Sequence, residues 1–257
     1  MKHFTDDRLP ISTIFYCRFG FSIVRFISVL SKVSLISGDE EAFQTISNRL
    51  FGRVLRNTEI VGVTGAPDNA SVQAGVLDDS LYFEYLETTK IGISGSCRII
   101  QNGSGVLLNI DTKIIFQKHQ RRMGIGLQCF VRQVNWCERL GIKSAHTFGG
   151  RDHNENGYYS WPRYGFDAVL PIEWRNEIFL DKRIPTRVKR AVSVLDVMAT
   201  ETGREFWRNQ GIALALHFDC EQQSRSRRVL QNYWTGRQND GEKRHDESGI
   251  GTDLCTR

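Results

Sequence analysis

Leu127, Phe130, Val131, Val134, Cys137 and Leu140 recur at helical spacing, and they predict one amphipathic helix that Gly141 stops. Upstream the period is different. Ser71–Leu77, Leu81–Glu87, Ile91–Ile100 and Val106–Phe116 read as strands, with Asp78-Asp79 and Asn102-Gly103-Ser104-Gly105 as tight connections. Together they form an antiparallel meander. Ahead of it, Gly38-Asp39 opens a helical pattern through Leu55, whose apolar face is Ala42, Phe43, Ile46, Leu50 and Leu55. Ala66-Pro67-Asp68-Asn69 marks a turn between that helix and the meander. Beyond Gly141, Ile142–Phe148 reads as a short strand. Ile172–Gly211 then looks helical, with Val188, Ala191, Val192, Leu195 and Met198 on one stripe and Phe206 and Trp207 on a further helix ended by Gly211. Ile212–Asp219 alternates as a last strand, and a short basic helix follows over Ser224–Tyr233. There is no internal repeat.

The two ends fall outside this scheme. Ile11–Ser37 is rich in Ile, Phe and Val but carries Arg18, Arg25 and Lys32 seven residues apart. As a helix, that stretch would hold the three charges on one narrow side and present a broad apolar surface, packed on the domain or laid on a membrane; the alternative is a poorly ordered extension. No uncharged run approaches the ~20 residues that cross a bilayer. Asp6 and Asp7, in the n-region, argue against a cleaved signal peptide. From Arg237 to Arg257 the chain is polar and mixed in charge, a composition that predicts no packed structure. The resulting division is an apolar and basic extension over 1–38, a domain over 39–235 with a helical insert at 172–211, and a polar tail over 236–257.

Composition narrows the class only in part. A chain of 257 residues with 40% hydrophobic side chains can bury a sizeable core. Its formal charge of +5 is spread along the sequence, without the dense Lys/Arg block of a nucleic-acid arm, so no nucleic acid is expected. Arg225-Ser226-Arg227-Arg228 is too short to change that. The six cysteines are scattered, with no CxxC pair and no histidine at metal spacing, so reduced thiols in a cytoplasmic protein and no metal are expected.

The candidate chemistry lies around the central helix. Arg121-Arg122-Met123-Gly124-Ile125-Gly126 is a basic, glycine-containing turn immediately before it. Such a turn leaves backbone N–H groups unpaired at a helix N-terminus, where the dipole also favours negative charge, and a diphosphate suits that position. The spacing Arg-x-x-Gly-x-Gly resembles the acyl-CoA pyrophosphate loop of the GNAT superfamily of N-acetyltransferases. Downstream, Asn154-x-x-Gly157-x-x-x-Trp161-x-x-x-Gly165-Phe166 resembles that family's Asn-x-x-Ala-x-x-x-Tyr-x-x-x-Gly-Phe. Asn154, Gly165 and Phe166 match in register. The likeness covers about Leu107 to Leu170, and it departs from the pattern at Trp161, where the family often has a general-acid Tyr.

The resemblance implies an α/β (α+β) fold: a mixed, mostly antiparallel twisted sheet flanked by helices, here with a helical insertion before the last strand. It implies an acyltransferase that moves an acetyl group from acetyl-CoA to an amine of unidentified class, by direct attack in a ternary complex. The alternative is the same fold without catalysis, as a CoA-binding or protein-interaction module. Arg121, Arg122, Met123, Gly124, Ile125 and Gly126 would hold the diphosphate, the strand edge Ile114-Ile115-Phe116 the pantetheine and thioester, and Asn154 the cofactor arm. Glu84 and Asp111 are candidate bases on strands bordering the acceptor site, and Glu87 lies near them. Tyr158 is the first candidate acid, one helical turn before Trp161, with Tyr159 and Tyr164 as substitutes. His119 and His153 flank the two motifs. Membrane-surface contact through 11–37 and homodimerisation stay open.

Overall fold

The computed structural model describes residues 14–19, 22–27, 31–87, 93–103, 105–110, 124–152, 155–180 and 184–248. Its centre is a seven-stranded mixed sheet built from β3 (Lys32–Leu35), β4 (Ser71–Leu77), β5 (Ser80–Glu87), β6 (Ile93–Asn102), β7 (Gly105–Ile110), β8 (Ser144–Gly149) and β11 (Leu214–Asp219), in the order β11-β8-β7-β6-β5-β4-β3. From β4 to β7 the pairing is antiparallel, and the predicted meander stands in the expected order. The β4–β5 hairpin turns on Asp78 and Asp79, at φ 48° and 60°. Both residues are left-handed, as a two-residue hairpin loop matched to strand twist requires. Two neighbouring pairs run parallel, β3 with β4 and β7 with β8.

The β7–β8 pair is joined by α3 (Ile125–Arg139), the helix predicted from its stripe. Leu127, Phe130, Val131, Val134 and Cys137 are all buried along it. Parallel strands need such a crossover, because a tight turn cannot reverse the chain direction twice. Two more helices pack on the same side of the sheet. In α1 (Glu40–Phe51), Phe43 stands edge-on to Phe83 of β5 at 6.2 Å, and Gly52 at φ 69° closes the helix. In α2 (Asn57–Thr64), Glu59 reaches back to accept from the Arg56 N–H at 2.8 Å, and the Val63 carbonyl accepts from Gln133 of α3 at 2.9 Å. The helical pattern through Leu55 therefore ends early, at Phe51, and α2 follows as a separate element.

The other face of β5 carries Tyr82, Glu84 and Leu86, and Glu84 and Leu86 are exposed. Beyond β8 come the short β9 (Arg151–Asp152) and β10 (Glu155–Asn156) and then α4 (Gly157–Arg163). The predicted insert consists of α5 (Ile172–Leu180), α6 (Thr186–Lys189), α7 (Val194–Met198) and α8 (Glu201–Gln210). Its expected stripe is interrupted between α6 and α7, where Ser193 bridges to Val169 and then caps α7. Val192 is thereby turned outward, while Val188, Ala191, Leu195 and Met198 stay buried.

Two expectations at the ends change. Part of 11–37 is strand rather than helix: β1 (Ile14–Phe19) pairs antiparallel with β2 (Ser22–Ile27), and β3 joins the main sheet. A run of Ile, Phe and Val suits a pleated ribbon better than a helix. At the other end, α9 (Arg225–Ser248) passes Arg237, where the predicted polar tail begins. Leu230 and Trp234 anchor its first half in the core. Among the described residues, no helix is long and apolar enough to cross a membrane.

Candidate functional site

Gly124 sits at φ 79°, the left-handed conformation that glycine adopts without cost, and its carbonyl accepts the Gln128 N–H at 3.0 Å. Glycine has no side chain to cap the helix it opens, and no other side chain among the described residues does so. The first-turn amides of α3 therefore remain available to an outside acceptor. Ile125 is half-buried against the core, and Gly126 is buried. Arg121, Arg122, Met123, Ile114, Ile115, Phe116, Asp111, His119, His153 and Asn154 lie outside the described residues.

Beside Gly126 is a small cleft where five elements meet. Thr64 and Gly65 come from the end of α2, Tyr85 from β5, Ile110 from the end of β7, Gly126, Cys129, Phe130 and Gln133 from α3, and Trp161 from α4. The last β7–β8 pair among the described residues is Ile110–Thr147, where the buried Thr147 hydroxyl donates to the Ile110 carbonyl at 3.0 Å. Gly65 is left-handed at φ 66°, and a Cβ there would stand 2.8 Å from the Cys129 carbonyl oxygen, so a glycine is what lets α2 approach α3. The wall is largely aromatic. Phe130 meets Trp161 edge-on at 5.8 Å, Phe166 at 5.1 Å and Tyr164 in a stack at 5.9 Å. The second motif therefore packs onto the helix that the first motif opens.

Five further sequence candidates can now be placed. Trp161 lines the cleft. Tyr158 does not. Its hydroxyl donates to the Arg208 carbonyl at 2.7 Å, and its own carbonyl accepts from Trp207 Nε1 at 2.8 Å, so it is turned toward the insert. Tyr159 likewise accepts from Arg208, at 2.7 Å, and Tyr164 is packed among aromatic rings. Burial, with Tyr233 adjacent, pushes the Tyr164 hydroxyl up to about 12. Glu84 belongs to the exposed face of β5, near the Tyr82 hydroxyl at 3.4 Å, because successive side chains of a strand point to opposite faces. The residue that β5 sends to the cleft is Tyr85.

Sequence reasoning passed over Tyr85 because, in the alternation of Ser80–Glu87, it reads as a core position. One signal was present in the sequence. Its cross-strand partner is Gly95, and a Cβ at that position would meet the Tyr85 hydroxyl oxygen at 2.5 Å. The glycine gives the ring room to lie across β6. Tyr85 is only 3% exposed, yet its hydroxyl has no hydrogen-bond partner among the described residues. Burial pushes that hydroxyl well above the usual phenol range, with Cys129 and Cys97 reinforcing it, so it stays protonated. Burial also raises the Cys129 thiol to about 11, too high to act as a thiolate nucleophile near neutral pH. Among the described residues, no group of three or more His, Cys, Asp or Glu could hold a metal ion. Neither a family model nor a curated protein matches the chain.

Proposed function

We propose that this protein is a CoA-dependent acyltransferase of the GNAT type, which transfers an acetyl group from acetyl-CoA to an amine. One arrangement carries the reading. A glycine-opened helix, without a side-chain cap among the described residues, joins the parallel strands β7 and β8, and a cleft opens beside its first turn. In this reading Arg121, Arg122 and the amides around Gly124–Gly126 hold the diphosphate. The edge over Ile114–Phe116 bonds the pantetheine, and Asn154 takes the cofactor arm. The thioester then lies at the cleft, where Gly126 leaves space and Phe130 and Trp161 exclude water. A carboxylate or a water chain takes the proton of the attacking amine, and Asp111 is the nearer of the two proposed bases along the chain. The acceptor would enter from the side of the insert over 172–211.

Trp161 favours a second reading, a CoA-binding module without catalysis. An indole at this point in the wall has no acidic O–H to offer a leaving thiolate. Thiol release from acetyl-CoA across a panel of primary amines separates the two. Release dependent on both protein and amine supports the transferase, whereas saturable acetyl-CoA binding without release supports the module.

A further inference from the structure

Buried hydroxyls nearly always find partners, because an unmade hydrogen bond away from water is costly. The Tyr85 hydroxyl has none among the described residues, and Tyr85 lines the small cleft, where a ligand could supply one. Its ring is held on three sides: by Gly95 beneath it on β6, by Cys129 of α3, and by the strand neighbours of β5. Tyr85 is therefore held in place, its hydroxyl over Gly95 and its side chain among the residues that line the cleft with Gly126 and Trp161. A fixed, uncharged O–H at the wall of a cleft is a hydrogen-bond donor for an oxygen acceptor that enters it.

We propose that Tyr85 is a catalytic residue whose O–H donates to the thioester carbonyl oxygen of acetyl-CoA as negative charge builds there. The inference rests on the acyltransferase reading and deepens it. A neutral amine attacks the thioester carbon, the C–N bond forms, and the C=O π pair moves onto the oxygen that Tyr85 holds. That pair then returns, the C–S bond breaks, and sulfur leaves as the thiolate. The extra proton on the new amide nitrogen passes to water, and water protonates the thiolate. Tyr85 keeps its proton throughout, so its raised affinity for that proton is an advantage. Donors placed where charge develops act most strongly in such preorganised, dry sites. The role differs from that of a general acid and does not require a tyrosine at 161.

The test uses the full chain and Tyr85→Phe, with circular dichroism to show that the fold is retained. Isotope-edited infrared spectroscopy of acetyl-CoA labelled with ¹³C at the carbonyl reads the hydrogen bond directly, without any acceptor amine. The wild type should move the bound carbonyl band to lower wavenumber, and Tyr85→Phe should restore the free position. Acetyl-CoA affinity by calorimetry should stay within about threefold, while turnover with an accepted amine falls about 10²-fold, the pattern of a contact that strengthens in the transition state. A wild type that binds acetyl-CoA without a band shift, or a shift that survives in Tyr85→Phe, overturns the role of Tyr85 and leaves the acyltransferase reading standing. A folded wild type that does not bind acetyl-CoA overturns both.

Discussion

The Tyr158 hydroxyl donates to the carbonyl oxygen of Arg208 at 2.7 Å, which ties α4 to the last helix of the insert. That bond sets the side chain apart from the cleft and gives it a structural task. The Arg151 guanidinium, 5.1 Å over the Tyr158 ring, reinforces the same seam. Tyr158→Phe should therefore cost about 0.5–1.5 kcal/mol in urea denaturation, the ordinary value of one hydrogen bond. Its acetyl-CoA affinity and thiol-release rate should match the wild type. A large loss of turnover with unchanged stability would return Tyr158 to the reacting centre.

Glu59 gives a prediction in pH. Burial by itself would raise its carboxyl, but hydrogen bonds from Arg53 and Arg56 outweigh that and hold it down to about 2, from an ordinary 4.5. Arg53 donates through both terminal nitrogens, at 2.7 and 2.6 Å, and Arg56 through its backbone N–H at 2.8 Å and its guanidinium at 2.9 Å. A folded-state value below the unfolded one means that folding favours the charged form. The stability it adds is complete above about pH 4.5 and drains away as pH falls toward 2. Glu59→Gln should lose about 1–3 kcal/mol at pH 7, by removing charge-assisted bonds. Denaturation series for the two proteins should converge toward pH 2, and curves that stay parallel down to that pH would contradict the account.

Much of this architecture is legible in the sequence because period and turn chemistry agree. The stripe Leu127–Cys137 marked α3, and Asp78-Asp79 marked the hairpin that turns the meander. The helix α2 escaped notice because Ile60, Gly62, Val63 and Thr64 are all buried in its eight residues, leaving no polar face for a period to show. The hairpin β1–β2 was misread because charges seven apart fit a helix face, while the Ile, Phe and Val between them favour strand. Of the residues lining the cleft, Gly126 and Trp161 already stood out in the sequence through motif spacing. Tyr85 did not, since its significance comes from the cleft, and the cleft exists only once β5, α3 and α4 have packed together.

Gly165 and Gly141 separate two costs of replacing a glycine. Both are left-handed, at φ 100° and 72°. A Cβ at Gly141 meets nothing within 4 Å, whereas one at Gly165 would stand 2.3 Å from the Ser226 carbonyl oxygen on α9. Gly141→Ala should cost about 1 kcal/mol, the backbone penalty alone. Gly165→Ala should cost about 1–3 kcal/mol beyond that, because backbone must move. Chemical denaturation of both variants measures the difference, and equal losses would mean that α9 yields freely to α4.

The most direct measurement is calorimetric titration of acetyl-CoA into the full-length protein and into a variant with both Arg121→Ala and Arg122→Ala. The acyltransferase account predicts saturable binding by the wild type. It predicts a loss of about tenfold or more in the folded double variant, since charge-assisted bonds to a diphosphate are worth roughly 1.5–3 kcal/mol each. Absent binding by the folded wild type, or equal affinity in the two proteins, would contradict it.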